Sequence, residues 1–107
     1  MELETVVRDK ALLRLADIFQ VSVTSLHDDL ILGADLKASF VSDFRRNELD
    51  LVHDDVYDVA DRSLTKELMS GRLVIRTVGD YCSHMIRCSR VRMADVARLL
   101  KIKEDHF

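Results

Sequence analysis

Proline is absent from this chain, and glycine occurs at only three positions, Gly33, Gly71 and Gly79. Few residues therefore break a helix or permit a left-handed turn. A chain of 107 residues so built must make its elements from helices and can turn sharply at few places. Leu, Ala, Arg, Glu and Lys are common, and all favour helix. Hydrophobic residues make up 48%, enough for one modest core, so the reading is a single all-α domain.

The spacing of apolar residues divides the chain. Val6, Leu12, Leu15, Ala16 and Phe19 recur at helical intervals and predict a first helix over Leu3–Phe19. Residues 20–34 hold Val21, Val23, Leu26, Leu30 and Leu32, too many apolar groups for a free loop, with Ser22, Thr24 and Ser25 as turn and cap formers. A second helix is expected from an Asp35 cap to Glu48 or Leu49, with Leu36, Phe40, Val41 and Phe44 facing inward. Ser39 and Ser42 are the hydroxyls on its early turns. Residues 50–53 read as a break. Asp54 or Asp55 then caps a third helix, with Val56, Val59, Ala60, Leu64 and Leu68 inside and Gly71 as its stop.

Leu73, Val74 and Ile75 form either a strand-like segment or a packed connector. Thr77, three residues before Asp80, is a capping-box pattern opening a helix with Val78, Tyr81, Cys82, Met85 and Ile86 inside. Met93, Val96, Ala97, Leu99 and Leu100 mark a last helix. Leu26-His27-Asp28-Asp29-Leu30 nearly repeats as Val52-His53-Asp54-Asp55-Val56, which repeated capping chemistry explains.

Charge is unevenly placed. Residues 1–70 carry 8 basic and 15 acidic side chains, net −7, and residues 71–107 carry 8 basic and 4 acidic, net +4. The basic tail is expected to lie against the acidic part of its own chain, with anion binding the other reading. Cys82 and Cys88 lack zinc spacing and read as reduced thiols on one helix. His27 and His53 each precede two aspartates, but nothing in the sequence joins the two sites, so no metal centre is expected. No nucleophile–base motif or phosphate loop is present, and an enzyme is not expected. The apolar runs are too short for a membrane span and the acidic N-terminus lacks a signal pattern, so a cytoplasmic monomer is the expectation.

Three features share one order: Ala16-Asp17-Ile18-Phe19-Gln20-Val21 closing the first helix, Gly33-Ala34-Asp35-Leu36 leading to the second, and Ile75-Arg76-Thr77-Val78-Gly79-Asp80-Tyr81 opening a late one. Over residues 4–88 this order resembles the acyl carrier protein family. The resemblance implies an acyl-carrier-like four-helix bundle, here with an extra C-terminal helix in a basic extension over residues 89–107. It implies an acyl or related group carried as a thioester on a 4'-phosphopantetheine arm. Synthase or acyltransferase enzymes and a phosphopantetheinyl transferase would be its partners. The family's Asp-Ser-Leu motif at the start of helix two is missing. Ala38-Ser39-Phe40 stands in for it, making Ser39 the arm site and Ser42 the second choice. Asp43, Glu48, Asp50, Asp54 and Asp55, with Asp58 and Asp61, would form the acidic face that docks basic partners.

Two other functions compete. A carrier-like bundle without the arm would serve as a protein-interaction module. A helix-turn-helix reading rests on Leu15 to Val23 and on Met93 to Ile102. The first copy would place His27-Asp28-Asp29 against phosphates, and the second has too little chain after it for a recognition helix.

Overall fold

The computed structural model describes residues 2–36 and 47–103. Its elements are α-helices: α1 (Leu3–Phe19), α2 (Glu48–Asp58), α3 (Arg62–Ser70), α4 (Val78–Ser89) and α5 (Met93–Leu100), with one 3-10 turn at Val23–Ser25. No strand occurs among the described residues, only isolated bridges from Ile31 to Thr77 and from Leu32 to Leu36. Among those residues no helix is long and apolar enough to cross a membrane.

Helix α4 is the centre of the packing. Val78, Tyr81, Cys82, Met85 and Cys88 are all fully buried, because α1, α2 and α5 each pack against α4. Opposite it, α1 buries Val6, Val7, Ala11, Leu15, Ala16 and Ile18, a wider stripe than the spacing predicts. The extra width follows from its three neighbours: α1 meets α2 and α5 as well as α4. Leu12 and Phe19 are only half-buried at its edge.

The capping residues fix where the later helices begin. Thr77 and Asp80 form the expected reciprocal box: the Asp80 N–H donates to the Thr77 hydroxyl at 3.1 Å, and the Thr77 N–H donates to the Asp80 carboxylate at 3.0 Å. The Arg76 N–H donates to that carboxylate too, at 3.0 Å. Burial opposes ionisation of Asp80, but the Arg76 and Thr77 N–H donors, with the Thr77 hydroxyl, outweigh it and hold its pKa below the usual carboxylate value. Gly71 ends α3 with φ 81°, the left-handed closure a glycine makes without strain.

Between α1 and α4 the described boundaries differ from those expected. The expected second helix falls largely on residues 37–46, outside the described residues; at its expected start the Asp35 carboxylate accepts the Ile31 N–H at 2.8 Å, and the N–H groups of Ala34, Asp35 and Leu36 turn back to the Ile31 carbonyl. Residues 50–53 are not a break but lie within α2, which Asn47 caps in a reciprocal box with Asp50. Asp54 and Asp55 therefore sit inside α2, and repeated capping does not explain the near-repeat at Val52 to Val56. The true break is at residues 59–61, where the Asp61 carboxylate accepts the Leu64 N–H at 2.8 Å and starts α3. Val52, Val56 and Val59 are all buried, one inner row running to the end of α2.

Two arginines of the C-terminal basic region pair with the acidic part of the chain. Arg87 pairs with Glu67 at 3.0 Å, and Arg90 pairs with Glu4. Arg92 holds Asp95 and reaches the Ala60 carbonyl at 2.7 Å, tying the start of α5 to the α2–α3 junction.

Candidate functional site: the α2 face and its groove

Ser39 and Ser42, the expected arm sites, lie outside the described residues, as do Asp43, Phe40 and Phe44. The described helix after the long connection opens at Glu48. Its first turn reads Glu48-Leu49-Asp50-Leu51 behind the Asn47 cap. That turn offers no hydroxyl for a phosphodiester. Its two carboxylates repel the phosphate that a bare helix N-terminus would attract. These residues do not fit a phosphopantetheine attachment.

Helix α2 carries five acids and no Lys or Arg. Asp50 and Asp58 are exposed and Asp54 is half-buried. Asp55 must be withdrawn from the docking face: it is only 3% exposed. Its position on α2 turns it inward, where Arg14 Nε and Nη2 donate to its carboxylate at 2.9 and 3.1 Å. The Tyr81 hydroxyl donates to the same carboxylate at 2.9 Å. Burial, and then the Asp55 charge, raise the Tyr81 pKa well above its usual value. The hydrogen bond to Asp55 raises that of Arg14 against the opposing effect of burial.

Beside the acidic face is an open apolar groove of about 300 Å³. One wall is α2, presenting Leu49, Val52, His53, Val56 and Tyr57. The other is the connector Leu73-Val74-Ile75, and Leu32, Leu68 and Gly71 complete the lining. Gly33 positions this wall: it turns with φ 91°, and a Cβ there would sit 3.0 Å from Leu49 Cδ1. His53 and Tyr57 stack with ring centroids 4.7 Å apart. Leu49 is 37% exposed and Val74 54% exposed, large apolar groups left in water at the groove's edge.

The two lips differ in charge. Asp50 and Asp54 lie on the α2 side, one turn apart. On the connector side Arg72, Val74 and Arg76 are exposed while Leu73 and Ile75 are half-buried, the alternation of an extended segment. The sequence left open whether 73–75 was a strand or a packed connector; it is an extended connector. The acidic residues of α2 were found in the sequence, but the groove was not. It depends on where α2 begins, and Asn47 as the cap was the missed signal.

The remaining reactive groups are enclosed. Cys82 and Cys88 are free, buried on α4, and burial pushes both thiols up to about 11. Burial lowers the His84 pKa, against the bond that its Nε2–H donates to the Val56 carbonyl at 2.8 Å. Among the described residues no three His, Cys, Asp or Glu side chains gather to hold a metal ion. For the helix-turn-helix reading, residues 20–36 contain no α-helix after α1, only the turn at Val23–Ser25. No family model matches this chain, and no match was found among curated proteins or solved structures.

Proposed function

We propose that this chain is an acyl-carrier-like helical bundle without the phosphopantetheine arm, and that it works as a protein-interaction module. The observation that carries the reading is the opening of α2. A cap, Asn47, is followed by Glu48 and Leu49. That run, Asn-Glu-Leu, shares the leucine of the Asp-Ser-Leu motif the resemblance calls for, with an amide cap in place of the aspartate and an acid in place of the serine. The cap is kept and the attachment hydroxyl is gone. What remains is the acidic α2 face and an apolar groove beside it, both suited to a partner surface. The opening of α4 at Thr77-Val78-Gly79-Asp80 and the long packed connection after α1 agree with the same bundle.

The test is modification. The protein is incubated with coenzyme A and a broad-specificity phosphopantetheinyl transferase, then weighed intact and peptide-mapped. The expected result is no added mass on folded protein. A phosphopantetheine mapped to Ser39 or Ser42 restores the covalent carrier reading.

A further inference from the structure

We infer that the groove between α2 and the connector receives the apolar side chains of one amphipathic helix from a partner protein. The basic flank of that helix lies over α2 and its acidic flank over the connector. The inference rests on the interaction-module reading and names its partner by chemistry.

The α2 wall runs from Leu49 to Tyr57, about 12 Å at the helical rise. That is two turns, room for anchors at i, i+3 or i+4, and i+7. The wall residues Leu49, Val52, His53, Val56 and Tyr57 themselves repeat at three and four. A helix laid alongside meets that repeat ridge into groove. Leu49 and Val74 are the exposed apolar groups such a helix would cover.

The lips then choose the occupant. Asp50 on the α2 side favours Lys or Arg, and Arg72 and Arg76 on the connector side favour Asp or Glu. Neither arginine makes an ion pair among the described residues. A free fatty acid answers only one lip, since its single carboxylate is drawn to the arginines and leaves the acidic lip unmatched. A second copy would lay one concave groove over another and leave both unfilled.

The probe is a synthetic helical peptide with leucines at i, i+3, i+4 and i+7, Lys along one flank and Glu along the other. Binding is read by fluorescence anisotropy and by amide shifts in the full-length protein. The expected result is saturable binding with shifts centred on Leu49, His53 and Val74. An otherwise identical peptide with Glu on both flanks should bind about tenfold more weakly. Val74→Glu, at a solvent-facing position, should weaken binding by about tenfold or more with the helical circular dichroism unchanged. Equal binding of the two peptides, shifts elsewhere, or no binding would overturn the proposal. So would displacement of the peptide by laurate, or a dimer in sedimentation equilibrium that Val74→Glu splits. Phosphopantetheine on a serine with peptide binding intact would sink the arm-free reading alone. Unmodified protein that ignores the peptide would sink the groove proposal alone.

Discussion

Arg14 on α1 closes a two-pronged ion pair on Asp55 of α2, at 2.9 and 3.1 Å, with Tyr81 of α4 holding the same carboxylate. Three helices are joined at one buried charge. Removing Arg14 leaves Asp55 with an uncompensated charge, so Arg14→Leu should cost about 3 kcal/mol in urea unfolding. The double variant Arg14→Leu with Asp55→Leu should recover most of that. A residue of about 1 kcal/mol should remain, because Tyr81 loses its acceptor. A loss in the double variant equal to the sum of the Arg14→Leu and Asp55→Leu losses would show that the pair is not coupled.

Gly79 makes the opposite of the usual helix prediction. On helix propensity alone, Gly79→Ala should stabilise by about 1 kcal/mol. But an added Cβ would lie 3.0 Å from both the carbonyl oxygen and the Cβ of Asp28. The Gly79 N–H already donates to that carbonyl at 2.8 Å, so the backbone is held close. Gly79→Ala should therefore destabilise by about 1–3 kcal/mol in thermal or urea unfolding. A gain in stability would mean that the connection yields freely.

The buried thiols give an alkaline limb. Cys82 and Cys88 are raised from 9.0 to about 11 in the folded state. Their contribution is complete below pH 9 and is lost as pH rises toward 11. The urea midpoint should fall over that range. The Cys82→Ala, Cys88→Ala double variant should show a shallower fall. Some slope should persist near the top of the range from Tyr81, whose pKa burial also raises. Native protein at pH 8 should resist iodoacetamide and react after unfolding.

His84 gives the acid limb. Burial lowers its pKa from 6.5, so the unfolded chain takes up the proton first. Its contribution is complete above pH 6.5 and is lost as pH falls through the folded value. The urea midpoint should drop below pH 6.5, and His84→Gln should make that drop shallower. An unchanged acid slope would assign it to carboxylates instead.

The parts of the fold written in local chemistry were legible. The apolar spacing of α1 is uninterrupted and gives its observed bounds, Thr77 and Gly71 follow from capping types, and α5 follows from the spacing of Met93, Val96, Ala97 and Leu100, since Arg92 makes no side-chain cap. The middle was misread because the same residue types serve two uses. Asp35 is a good cap by identity, yet its carboxylate turns back to the Ile31 N–H. Asp55 looks like one more surface acid in an acidic run, and only its partner Arg14, forty-one positions away, shows it is internal. Asn47 was passed over beside the aspartates, and with it went the start of α2 and the groove. The groove's second wall comes from the connector, which approaches α2 only in three dimensions. No local pattern records that.

In the arm-free bundle proposed above, Glu48 stands at the opening of α2 where an attachment serine would sit. The most direct measurement is intact mass after phosphopantetheinyl transfer, run side by side on the wild type and Glu48→Ser. The wild type should show no change, and the variant should gain one phosphopantetheine on the introduced serine. A wild-type protein that gains the group, or a folded Glu48→Ser that gains nothing, would contradict that reading.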